Sequence, residues 1–251
     1  MNLGIDGKVV IVTGASRGIG AAIAESLGLH GAAVIVNYHN NQEKAEAVLG
    51  RIKDNGGSGI TFRADVRDGD AVNAMVEAAV KTFGKVDVLI NNANINFPIK
   101  PFIKLSWEEI DAKITGETKA LYNCSQAVLK DMIQRKAGKL IFISSTLSRQ
   151  PGYGFAAHAA AKSATDSLAR VMATELGPEG ITVNVIGPGL VRTDATAGLP
   201  AEVHERTAAF TPLGRVGMPE DVAGVALFLA SPLSDYLTGQ YIPVCGGSFM
   251  V

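Results

Sequence analysis

The stretch Lys8-Val-Val-Ile-Val-Thr-Gly-Ala-Ser-Arg-Gly-Ile-Gly20 constrains this 251-residue chain more than any other, because it joins a buried-strand pattern directly to a glycine turn and a helix. Val9 to Val12 form a short β-branched apolar run, which suits a central parallel strand covered on both faces. Gly14, Gly18 and Gly20 follow in the spacing Gly-x-x-x-Gly-x-Gly. Without a Cβ the backbone turns sharply there, and a pyrophosphate can approach the amides at the helix N-terminus. Three glycines can also make nothing more than a tight turn. The strand before them and the helix after them favour a dinucleotide cradle, with Gly14, Ser16, Arg17, Gly18, Ile19 and Gly20 around the phosphates.

The length fits one α/β domain spanning 1–251. A net charge of -1 with scattered Lys and Arg lacks the electrostatic footprint of a nucleic-acid binder, so a small-molecule partner is expected. Cys124 and Cys245 lie far apart in no metal-ligand spacing, which argues against a disulfide framework or a metal site and fits a reducing compartment. No basic leader precedes an apolar stretch, and no run of about 20 apolar residues occurs. A cytoplasmic protein without membrane association is expected.

Beyond the first helix, roughly Gly18 to His30, Ala33 to Val36 read as a second strand. An NAD site would usually place Asp or Glu at its end, but the chain continues Asn37-Tyr38-His39-Asn40-Asn41. No carboxylate would repel a 2′-phosphate there and Arg17 could attract one, so NADP(H) is favoured over NAD(H), with Asn37 among the contacts. A helix from Gln42 to about Lys53 and a strand Ile60 to Arg63 lead to Asp65-Val66. Asp65 is either an acceptor for an adenine amino group or a turn cap. A helix from about Asp70 to Phe83 and a strand Val86 to Ile90 bring the chain to Asn91-Asn92-Ala93-Asn94.

Next comes a long helix from about Ser106 to Arg135, opened by Ser106 and Glu109 in capping-box spacing. Within it Lys113 and Glu117 have i, i+4 spacing, which ordinarily marks a solvated face. Leu140 to Ile143 form a strand ended by Ser144-Ser145, and the following helix carries His158 and Lys162 on one face. A strand Ile181 to Ile186 opens into a long loop through Pro188, Gly189 and Thr193, with a short helix around Pro200 to Phe210. Asp221 to Ala230 read as the last major helix and Gln240 to Val244 as a seventh strand. The βα rhythm specifies a single-domain, Rossmann-type, doubly wound parallel sheet of about seven strands with helices on both faces.

These residues resemble the short-chain dehydrogenases/reductases over nearly the full chain, and most the 3-oxoacyl-acyl-carrier-protein reductase-like members. The resemblance rests on Thr13-Gly-Ala-Ser-Arg-Gly-Ile-Gly20, Asp65-Val66, Asn91-Asn92-Ala93, Ile143-Ser-Ser145, Asn184-Val-Ile-Gly-Pro-Gly189 and Gly239-Gln-Tyr-Ile-Pro-Val-Cys-Gly-Gly247. It implies a nicotinamide cofactor across the carboxyl ends of the strands, contacted also by Val66, Asn91, Ala93, Lys162, Pro188, Gly189 and Thr193. It implies a homotetramer too, an expectation that the apolar segments Val225 to Leu229 and Tyr241 to Val244 reinforce.

In that family a Ser polarises the carbonyl, a Tyr four residues before a Lys donates the proton, and an Asn holds a relay water. Ser145 and Lys162 match, but the Tyr slot holds His158, the Asn slot holds Glu117, and Asn94 replaces the glycine of Asn-Asn-Ala-Gly. Tyr153 lies nine residues before Lys162, outside the usual spacing, and Phe155 occupies the tyrosine position of the related enoyl reductases. An imidazolium at His158 would be opposed by Lys162, although Glu117 could stabilise it or pair with Lys162 instead. The leading expectation is an NADPH-dependent reductase of a ketone or acyl thioester with Ser145, His158, Lys162 and Glu117 in its site. The alternative is a cofactor-binding subunit without turnover, partnering an active paralogue in a hetero-oligomer.

Overall fold

In the computed structural model, which describes residues 3–250, Val9–Val12 forms strand β1 with all four side chains buried. The ends of the expected single domain, residues 1, 2 and 251, lie outside the described residues. A strand apolar on both faces needs cover on both sides. Val10 and Val12 enter one core and Val9 and Ile11 the other, as the two-residue period of a strand requires.

The chain continues through α1 (Gly18–Leu29), β2 (Ala33–Tyr38), α2 (Gln42–Asp54), β3 (Ser58–Arg63), α3 (Gly69–Phe83) and β4 (Val88–Asn91). Its second half comprises α4 (Trp107–Arg135), β5 (Gly138–Ile143), α5 (Ala156–Leu176), β6 (Ile181–Pro188), α6 (Ala201–Phe210), α7 (Pro219–Ala230) and β7 (Tyr241–Val244). All seven strands pair in parallel, in the order β3-β2-β1-β4-β5-β6-β7. The order reverses between β1 and β4, and at such a switch point the carboxyl ends of the strands leave a crevice for a ligand.

Local chemistry sets the elements that carry the site. Ser106 Oγ accepts from the Glu109 amide at 3.3 Å and Glu109 Oε2 accepts from the Ser106 amide at 2.9 Å, so the expected capping box starts α4. β4 begins two residues later than the apolar run suggests, because the Asp87 carboxylate accepts the Val9 amide at 3.0 Å. Two surface readings need correction. Much of the segment Val225 to Leu229 is apolar for an intrachain reason, since Ala226, Leu227 and Leu229 pack with Ile23, Ala24 and Leu27 of α1. Lys113 and Glu117 belong to no solvated face: Lys113 is 0% exposed and Glu117 4%.

Candidate active site

The glycine turn is held from three directions. Gly14 has φ +62°, and a Cβ there would stand 2.9 Å from Ala93 Cα, so the β1 turn lies directly against the end of β4. The Thr13 hydroxyl accepts the amides of Asn92 at 2.9 Å and Ala93 at 3.0 Å, while Asn92 Nδ2 donates to the Thr13 carbonyl at 2.8 Å. Arg17, exposed, precedes α1 without any side-chain cap, and the first turn carries no acidic residue. The opening amides of a twelve-residue helix thus keep their affinity for an anion. Gly18, at φ +56°, brings this turn to Thr193 on the loop beyond β6.

Asn37 is placed differently from the cofactor contact expected of it. It is 1% exposed; its Oδ1 accepts the Gly14 amide at 3.0 Å, and its Nδ2 donates to the carbonyls of Phe62 at 3.3 Å and Ala64 at 3.1 Å. Its side chain therefore braces the glycine turn from below and has no free group for a 2′-phosphate. Asp65 accepts the Arg67 amide at 3.0 Å as a turn cap, and both its oxygens accept from the Arg67 guanidinium. That hydrogen bonding holds the Asp65 carboxyl down at about 2. Val66, Asn91 and Ala93 line a small cavity of about 20 Å³ with Thr13, Glu117, Ile143 and Lys162. Pro188 is buried at the end of β6, and Gly189 donates to the Val244 carbonyl at 3.1 Å, placing both at the same sheet edge.

On the other side of that cavity Lys162, on α5, donates to the Ile143 carbonyl at 2.9 Å and pairs with Glu117 Oε1. Glu117 Oε2 pairs with Lys113. Burial pushes the Glu117 carboxyl up, but Lys162 and Lys113 outweigh it and leave Glu117 below its ordinary range. The carboxylate is thus engaged by two ammonium groups, and the support it gives an imidazolium at His158 is outweighed. His158 stacks on Phe97, with ring centroids 4.5 Å apart, and its Nδ1 is buried with no hydrogen-bond partner among the described residues. Burial, then the charges of Lys162 and Lys113, push His158 down to about 3 against a smaller opposing effect of Glu117. His158 is a neutral imidazole at physiological pH.

Ser145 follows β5 and caps a short helical turn, its Oγ accepting the Leu147 amide at 3.2 Å. Its carbonyl accepts the Tyr241 hydroxyl at 3.0 Å. Tyr153 stands in solvent at 86% exposure, and Phe155 packs against Phe97. Three residues of the site escaped the sequence reading. Lys113 carried the one available signal, its spacing to Glu117; Phe97 lies in an irregular segment after β4, and Tyr241 comes from a distant strand.

The comparisons agree with this architecture. The family described as Enoyl-(Acyl carrier protein) reductase matches residues 14–248. A 3-oxoacyl-[acyl-carrier-protein] reductase FabG of Staphylococcus aureus is 39% identical, over 97% of this chain and 98% of that protein. Versicolorin reductase stcU of Emericella nidulans is 38% identical, over 99% of this chain and 98% of its own length. Among solved structures, a 7α-hydroxysteroid dehydrogenase complexed with NADH and 7-oxo glycochenodeoxycholic acid superposes with a TM-score of 0.93 at 34% identity, covering 98% of this chain and 96% of that one. With that family model matching residues 14–248 and relatives 38–39% identical over nearly their full length, the chain belongs to the short-chain dehydrogenase/reductase family.

Proposed function

We propose that the protein is an NADPH-dependent oxidoreductase that reduces a carbonyl, a 3-oxoacyl thioester or another ketone, at an atypical site in which neutral His158 replaces the tyrosine. The observation that carries this reading is the anchoring of Lys162 at the Ile143 carbonyl, two residues before Ser145, in a cavity it shares with Thr13, Asn91 and Ala93 of the cradle. Lys162 and Glu117 thus border the same cavity as the end of the glycine turn. The Gly14–Ala93 contact and the uncapped start of α1 fit a dinucleotide, which when bound would supply a hydride.

Ser145 Oγ polarises the carbonyl oxygen and Lys162 orients the nicotinamide ribose. In this reading neutral His158, whose buried Nδ1 has no partner among the described residues, carries its proton on Nε2 and donates that N–H to the oxygen as it gains charge. The lysine charges that oppose an imidazolium favour the ring anion left after proton transfer, and solvent then restores the proton. Arg17, exposed beside a β2 end that carries no acid, selects the 2′-phosphate.

Single-turnover hydride transfer from NADPH to a panel of 3-oxoacyl thioesters and ketones tests the reading. Wild type should transfer, and Ser145→Ala and His158→Ala should each lose about two orders of magnitude while still binding NADPH. A second reading, a cofactor-holding subunit of an active paralogue, is favoured by the missing imidazolium. Wild type that binds NADPH, reduces nothing alone and co-purifies with a tyrosine-containing relative would establish it. For the oligomer we propose a cytoplasmic homotetramer, supported by exposed Tyr122 on α4 and Leu168 and Val171 on α5. A monomer at micromolar concentration in light scattering would overturn the assembly.

A further inference from the structure

We infer that Lys113 is a positioning residue for this chemistry: it ties the segment Asn94–Phe97 to α4 and, through Phe97 and Glu117, sets where His158 and Lys162 stand. The inference rests on the reading of the site given above. Lys113 Nζ donates to Asn94 Oδ1 at 2.7 Å and to the Ile95 carbonyl at 2.7 Å, and it pairs with Glu117. Two of the ammonium hydrogens thus have acceptors, and the charge has an ionic partner in Glu117. The same ammonium sits 4.8 Å from the centroid of Phe97, whose ring stacks on His158. A lysine ordinarily extends its head to water; one that is 0% exposed is tolerated only where such partners compensate its lost hydration.

The titratable groups acting on His158 are Lys162 and Lys113, which oppose its protonation, and Glu117, which assists it. Two ammoniums against one carboxylate leave this buried group with net positive charge. Take Lys113 away and Glu117 and Lys162 balance, so the field on the ring largely vanishes. Burial lowers Lys113 itself to about 8, which places the loss of its charge within reach of a pH profile.

The test uses the full chain with Lys113→Met, Lys113→Gln and Lys113→Arg. NMR titration of the His158 imidazole in the cofactor-free protein should move upward by about one unit or more in the two neutral variants and stay near wild type in Lys113→Arg. Single-turnover hydride transfer at saturating NADPH should fall about tenfold or more in the neutral variants, and the wild-type limb near pH 8 should disappear. If Lys113→Met does not fold, Lys113→Gln carries the measurement. A folded neutral variant with the wild-type His158 midpoint overturns the inference. Absence of turnover in wild type would instead remove the reductase reading, while the imidazole titration still decides the role of Lys113.

Discussion

Phe97 lies nearly flat against His158, with ring centroids 4.5 Å apart and planes 18° from parallel. The contact covers an imidazole on which two buried ammoniums also act. Phe97→Ala should readmit water and raise the His158 midpoint from about 3 toward its ordinary 6.5, because burial is the largest cause of the depression. NMR titration of the ring reads it directly; an unchanged midpoint would show that other neighbours exclude the water.

A neutral donor also changes the pH profile. An imidazolium donor would lose activity as pH rises through its site value, and with that value near 3 such a loss would be complete before neutrality. Single-turnover rates should therefore be flat between about pH 5 and 7. A fall across that interval would return the acid role to a protonated histidine.

Glu117→Gln removes the one carboxylate from between Lys113 and Lys162. Breaking a buried pair in this way costs about 3–5 kcal/mol, and chemical denaturation at pH 7 should show a loss of that order. The folded-state pKa of Glu117 is depressed below its ordinary 4.5, so its stabilisation is present above the unfolded value and lost as pH falls through the folded one. Acidification should accordingly narrow the gap between wild type and variant. Equal stability at pH 7 would mean that the triad contributes nothing net.

Asn37→Asp supplies the carboxylate that NAD sites place after the second strand, yet no switch to NADH should result. The side chain is buried, and the aspartate would lose both donors to the Phe62 and Ala64 carbonyls while burying a charge. Thermal melting should report destabilisation of about 1–3 kcal/mol. Improved NADH binding in a fully stable variant would show that this side chain reaches the ribose.

Gly14→Ala tests the cradle. Its methyl would meet Ala93 Cα at 2.9 Å from a backbone at φ +62°, a strain of about 1–3 kcal/mol, and NADPH affinity should fall with stability. Arg17→Ala, at an exposed position, should leave melting unchanged and narrow the preference for NADPH over NADH. Equal wild-type affinities for the two cofactors would remove the specificity proposal and leave the fold untouched.

The sheet was legible because its signals are local. Val9 to Val12 read as buried on both faces, the glycines mark the turn into α1, and Ser106 with Glu109 announces the start of α4; each depends only on neighbours a few residues away. The placement of Ser145 after β5 and of His158 and Lys162 on α5 was legible in the same way, while their roles rest on the family resemblance. Tertiary structure decided what those residues meet. A period of 3.6 puts Lys113 and Glu117 on one face of α4 without saying whether that face looks to water or, as it does, to Asn94, Phe97 and Lys162. Asn37 stands one residue past the apolar run in sequence, and only its inward turn toward Gly14 made it a brace. The chemistry of His158 was likewise undecided until Phe97 and two ammoniums surrounded it, because a pKa depends on desolvation and on charges in space, neither of which is a property of the chain order.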